Sequence, residues 1–242
     1  MSIAHKLRLT FPIWGLAGAA VPCIPAIFAA LPYRGLSGEA YSPFNHFISE
    51  LGELGVSRLA PLFNAGLIVT GILLAAFMLG LGAYIGSAWS YLAAAVGVLA
   101  SGACSLVGVF PMNYIEPHMV AAMSFFRFGM VAIALFSLAI VLDRKRRLPC
   151  WLALPGAVTT LTFAAFMYAP SEQSSGTATQ ALNAGLGGRP AFWLAAVLEW
   201  AVFVAVVGWV AWVSLYVRRK DHPQISQITQ MGSEPEQAAK FK

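Results

Sequence analysis

The chain alternates between long apolar stretches and short polar intervals, with apolar runs from Phe11 to Leu31, Pro61 to Ile85, Ala88 to Phe110, His118 to Leu142, Leu148 to Ala169 and Ala191 to Val217. A helix crosses the hydrocarbon core of a bilayer with about 20 predominantly apolar residues, so each run is long enough to span one. The pattern predicts an all-α polytopic membrane protein, six transmembrane helices in one bundle. Only Gly86 and Ser87 separate the second run from the third, which makes these two an antiparallel hairpin. Pro12, Pro22 and Pro25 predict a kinked first helix retained in the fold. The alternative is a cleaved signal, because Lys6 and Arg8 precede an apolar stretch that ends in the small residues Ala29 and Ala30.

Composition agrees with this reading. Hydrophobic residues make up 59% and charged residues 10% of the chain, and the mean hydropathy is +0.72, far from soluble averages. Residues 1–220 are taken up by the transmembrane domain, leaving no room for a separate soluble one. Residues 221–242 are polar, mixed in charge and poor in aromatics, and are expected to form a disordered tail.

Lysine and arginine cluster before the first helix (Lys6, Arg8), between the fourth and fifth (Arg144, Lys145, Arg146, Arg147) and after the sixth (Arg218, Arg219, Lys220). With six spans all three clusters share one side. Cytoplasmic loops carry such residues in excess, so both termini are expected in the cytoplasm, with the protein in the plasma membrane. Arg34, Arg58 and Arg189 are scattered singly over the other loops. The formal charge of +5 is then a topology signal rather than a nucleic-acid footprint, which needs a continuous basic face. Cys23, Cys104 and Cys150 have neither metal-ligand spacing nor an obvious pairing and read as packing residues.

Helices in lipid associate through small residues. The third shows two such stripes, Ala93, Gly97, Ser101, Ser105 and Ala100, Cys104, Gly108, and is expected at the centre of the bundle. Two charges fall inside helices, Arg127 and Glu199. At roughly 1.5 Å per residue both lie about 12–14 Å down, so an ion pair between them is the expected arrangement. Separate satisfaction by backbone, hydroxyls or water is the alternative, and a proton or substrate role the third possibility.

Between the first two helices lies a long loop containing YSPFNHFISELGELG, from Tyr41 to Gly55. Ser42 followed by Pro43 resembles a helix start, and Phe44, Phe47, Ile48, Leu51 and Leu54 keep helical spacing. A short amphipathic helix on the outer membrane surface is therefore expected in this first extracytoplasmic loop. It would set His46 and Glu50 one turn apart, with Asn45 and Ser49 beside them. Asn64 at the start of the second helix, and Asn113, Glu116 and His118 from FPMNYIEPH, arrive at the same side. His118 stands at a helix start, where free amide hydrogens and the helix dipole favour a neutral imidazole able to act as base or ligand. The bland reading is that these are polar residues at the water boundary, doing no more than capping and bonding to loops.

The segments FNHFISELGELG, PLFNAGLIVTG and SLVGVFPMNYIEPHMVAAMSFF resemble an uncharacterised six-helix bacterial and archaeal membrane family known only as a domain of unknown function. They are more remotely similar to the DRAM and Sfk proteins and the Golgi GPI-anchor lipid-remodelling factors. The resemblance rests on Ile48, Ser49, Glu50, Leu51 and Gly52, on Phe63, Asn64 and Gly66, and on Val107, Gly108, Phe110, Pro111 and His118. Trp200 stands where related chains carry an arginine. What the resemblance implies is an association with membrane lipids.

Two functions are expected on these grounds. The first is a lipid hydrolase or acyl-transfer enzyme, with His118 as base, Glu50 or His46 orienting it, Ser49 as nucleophile or donor, and Asn45, Asn64 and Asn113 binding substrate. A metal variant would use His46, Glu50 and His118 with a water, although no cofactor is named by any motif. Neither G-x-S-x-G nor H-E-x-x-H occurs. The second is a non-catalytic lipid or small-molecule binding scaffold or regulator. A transporter ranks below both, since no inverted repeat is visible. Membrane lipids are the expected partners, and the Gly- and Ser-rich stretch from Ser171 to Pro190 is a candidate lid.

Overall fold

The computed structural model describes residues 3–168 and 189–221. The expected tail at 222–242, and nearly all of the candidate lid, lie outside the described residues.

Among the described residues the secondary structure is entirely helical. The first span is broken as its prolines require: α1 runs Ile3–Ala20 and α2 runs Cys23–Ala30, with Val21 and Pro22 in a turn between them. There follow α3 (Ala60–Ile85), α4 (Ala88–Val109), α5 (Ile115–Leu142), α6 (Ala153–Tyr168, entered through a 3-10 turn at Cys150–Leu152) and α7 (Leu194–Asp221). Among the described residues six segments are long and apolar enough to cross a membrane, from His5–Ala30 to Leu194–Lys220.

Local chemistry sets the boundaries. Pro61 occupies the first turn of α3, where its missing N–H costs nothing. At the other end Gly86 closes the helix at φ 62, a conformation glycine adopts without penalty. Ser87 then caps α4: its hydroxyl accepts from the Ser90 amide at 3.1 Å, and the Ser90 hydroxyl accepts from the Ser87 amide at 2.9 Å.

The helices form a closed ring in the order α1, α3, α4, α5, α6, α7 and back to α1. Both small stripes of α4 face α3. A Cβ on Gly71 would lie 2.4 Å from the Ser101 carbonyl oxygen, and one on Gly108 2.4 Å from the Asn64 carbonyl oxygen, so backbones touch there. The Ser105 hydroxyl donates to the Ile68 carbonyl at 3.0 Å across the same seam. The stripes therefore serve one tight helix pair, and α4 is a member of the ring rather than its centre.

The three basic clusters gather at one end of the ring. Lys220 Nζ donates to the Arg147 carbonyl at 2.7 Å, and the buried Asp143 carboxylate accepts the amides of Lys145 and Arg147 at 3.1 and 2.8 Å. We call this the basic end. Residues 31–59, Pro111–Tyr114 and Arg189 lie at the opposite, loop end.

Candidate functional site

The long loop folds back onto the ring. Its helical part is confined to a 3-10 turn, Ile48–Gly52, whose Glu50, Leu51 and Gly52 are buried. The amphipathic surface helix expected from the spacing is thus shorter and faces inward. Phe47 is the reason: at ψ 146 it is extended and separates the turn at Ser42–His46 from the 3-10 turn. Two carboxylates then hold the 3-10 turn. The Phe47 amide donates to Glu50 Oε1 at 2.8 Å, and the Ile48 amide donates to Glu199 Oε2 on α7 at 2.7 Å.

Glu199 is thereby satisfied by backbone, and it forms no ion pair with Arg127, which is exposed on α5. Depth explains the failure of that expectation. Arg127 lies 12 residues into α5, whereas Glu199 lies five into α7, which is about 18 Å against about 8 Å. In addition, α6 packs between these two helices.

Glu50 is 2% exposed and meets the guanidinium of Arg189 bidentately, at 3.0 and 2.8 Å. The Tyr33 hydroxyl donates to Glu50 at 3.2 Å, and Arg189 also donates to the Asn45 carbonyl at 2.7 Å. His46, 1% exposed, is not paired with Glu50 across a helical turn. Its Nε2 lies 3.8 Å from Glu39 Oε1, and Arg189 Nε lies 3.6 Å from the same oxygen; these three buried atoms have no hydrogen-bond partner among the described residues. On the other side of the ring His46 Nδ1 faces Asn45 Oδ1 at 2.8 Å, the Ser42 carbonyl at 3.2 Å and the Ser42 amide at 3.1 Å. Burial pushes the His46 pKa below the usual imidazole value and raises those of Tyr33, Tyr41 and Glu53.

The amide side chains are spent on the loop itself. Asn64 donates to the Gly52 carbonyl at 2.9 Å. Asn113 clamps Leu54 from both sides, accepting its amide at 2.7 Å and donating to its carbonyl at 2.9 Å. Asn45 donates to the Pro190 carbonyl at 2.9 Å. Tyr41 adds a further tie, donating to the Phe47 carbonyl and accepting from Trp200 Nε1, both at 3.0 Å.

Beneath the loop lies a cavity of about 100 Å³, walled by α1, α3, α4, α5 and α7. Its lining is apolar apart from Ser49, His118, Glu199, Thr70 and Cys104. His118 is 4% exposed, with Nδ1 2.8 Å from the Phe110 carbonyl. That oxygen can only accept, so Nδ1 carries a proton there. The Ser49 hydroxyl donates to Met112 Sδ at 3.4 Å. His118 and Ser49 therefore share one cavity without a hydrogen bond between them, while Glu50 and His46 belong to the separate Arg189 cluster. His46, Glu50 and His118 do not come together as ligands, and no group of three such side chains does so among the described residues.

Sequence reasoning gave no site role to Arg189, Tyr33, Tyr41, Glu39 or Trp200. The only signal was that Arg189 is a single cation just before a span; its partner lies 139 residues away.

A closed ring of apolar helices, with its charge concentrated at the two ends, and a folded loop over an internal cavity define a multi-pass integral membrane protein. Residues 19–216 match the family described as "Protein of unknown function (DUF998)", and the chain belongs to it. No curated protein and no solved structure matches the chain.

Proposed function

We propose that the protein binds a membrane lipid, with part of one acyl chain in the ring cavity and a polar headgroup group meeting His118 and Ser49 under the loop. The observation that carries this reading is the cavity's composition: an apolar wall from five helices with an imidazole and a hydroxyl at its loop end. At about 100 Å³ it takes a short chain segment rather than a whole lipid. The excess of lysine and arginine at the basic end supports an orientation with that end in the cytoplasm of a cell membrane, which sets the cavity in the outer leaflet.

A second reading, hydrolysis or acyl transfer, is favoured by one feature: Ser49 and His118, a hydroxyl and an imidazole, line the same cavity. Against it, no carboxylate orients His118 among the described residues, and Ser49 is turned to Met112.

The test is to purify the full chain in mild detergent and identify the lipids it retains by mass spectrometry, alongside His118→Ala and Ala122→Phe, which fills the cavity. A species held by the wild type and lost from both variants is the expected result; an unchanged lipid profile in both overturns the binding reading. Release of fatty acid from reconstituted lipid, abolished by Ser49→Ala, would establish the catalytic reading.

A further inference from the structure

On the opposite side of the molecule from the loop, one face of α7 forms a groove of about 550 Å³. Its floor and wall are Gly208, Ala211, Trp212, Leu215, Tyr216 and Arg219, which recur at helical spacing, and Trp151 from the 3-10 turn before α6 closes the other side. The Trp151 ring packs against Trp212 at 6.1 Å and Tyr216 at 5.7 Å between centroids. Gly208 opens the deep end: a Cβ there would meet nothing within 4 Å.

We propose that this groove is a binding site for one anionic phospholipid of the leaflet at the basic end, its phosphate on Arg219 and one acyl chain lying along α7 to Gly208. Three observations point to that occupant. The first is length. Eleven residues separate Arg219 from Gly208, about 16 Å along the helix axis, which matches half of the ~30 Å hydrocarbon core. The groove therefore reaches from headgroup level to the bilayer midplane, the extent of one lipid chain.

The second is the order of chemistry along it. An exposed arginine stands at the membrane surface, Tyr216 follows one turn deeper near the level where such rings anchor, Trp212 lies a further turn down with Trp151 packed against both, and the small residues Ala211 and Gly208 lie where a chain passes close to the backbone.

The third is charge. No ion pair involving Arg219 occurs among the described side chains, and its neighbours Arg218 and Lys220 and the Arg144–Arg147 segment place the groove mouth in a strongly positive field. Basic sites between helices at this level attract anionic headgroups. The cavity beneath the loop has the opposite character, with no cation in its lining, so the two sites would not compete for one lipid.

The experiment uses the full chain in detergent, titrated with phosphatidylglycerol or with phosphatidylcholine of the same acyl chains, bound lipid being counted by native mass spectrometry. The wild type is expected to retain one phosphatidylglycerol in preference to phosphatidylcholine. Arg219→Gln should lower that preference about fivefold, and Gly208→Leu, placed where an added Cβ meets nothing within 4 Å, should fill the deep end and abolish the tightly held copy. Arg127→Gln, on another helix, should change neither. Equal retention of the two lipids by the wild type overturns the proposal, as does a phosphatidylglycerol preference that survives both α7 substitutions. Arg219 is exposed at the helix end, so its variant reads binding even if Gly208→Leu fails to fold.

Discussion

Replacing Arg189 with methionine should loosen the loop by about 3 kcal/mol. Arg189 and Glu50 meet through two hydrogen bonds of 3.0 and 2.8 Å, with the side chains 8% and 2% exposed. Removing one member of a buried pair costs about 3–5 kcal/mol, because the other is left uncompensated away from water. Glu50 would keep the Tyr33 hydroxyl and the Phe47 amide, which places the cost at the lower end of that range. A difference of about 1.4 kcal/mol is tenfold in an equilibrium constant, so opening of residues 45–54 should become roughly a hundredfold more frequent. Amide hydrogen exchange over that segment in detergent micelles reads this directly. Because a buried ion pair is weak in net stability, the double variant Arg189→Met/Glu50→Leu should recover most of the protection lost in the single one. Exchange within threefold of wild type in Arg189→Met would refute the reasoning, as would a double variant as open as the single.

Three further outcomes are expected. The loop should weaken in mild acid: the folded state holds His46 below its usual value, so the unfolded chain takes up the proton first, and the stability from neutral His46 is present above about pH 6.5 and lost as pH falls through it. Glu39, Glu50, Arg189, Tyr33 and Tyr41 surround the ring, and His46→Gln should flatten the exchange-versus-pH profile between pH 5 and 7 if the histidine carries the effect, and leave it sloped if those groups do. Glu199→Ala leaves the half-buried Ile48 amide without its carboxylate and should cost about 1–3 kcal/mol in thermal unfolding, whereas Glu199→Gln retains an acceptor and should cost less; identical melting of the two would remove Glu199 as the cap. Gly71→Leu should destabilise by about 1–3 kcal/mol or more through overpacking against the Ser101 carbonyl, while Gly102→Ala, with open space around it, should be neutral or slightly stabilising; equal melting temperatures would contradict the backbone contact between α3 and α4.

The spans were legible because hydropathy acts locally: the expected run from Ala88 to Phe110 and the observed helix Ala88–Val109 differ by one residue. The Gly86–Ser87 turn was legible for the same reason. The interior of the loop was not. Phe44, Phe47, Ile48 and Leu51 have helical spacing, yet the amide of Ile48 is answered by a carboxylate 151 residues away, and that tertiary bond overrides the local pattern. The polar groups of Asn45, Asn64 and Asn113 were visible as neighbours of a site, but the side-chain amides of all three donate to backbone carbonyls, which carry no sequence signal. Arg127 and Glu199 failed as a pair because a depth counted from apolar boundaries accumulates an error of several residues, and at 1.5 Å each that exceeds the reach of a salt bridge.

The fastening of the loop by Arg189, Glu199 and Trp200 also imposes an order on assembly. All three anchors belong to the last span or the residues just before it, so during synthesis the preceding five spans enter the membrane with Glu50 still lacking its counter-ion and the 3-10 turn without its cap. The ring's roof is therefore finished only when the C-terminal helix arrives. A chain halted before Arg189 would hold its early helices but present an unlatched, proteolysis-sensitive segment to the aqueous side.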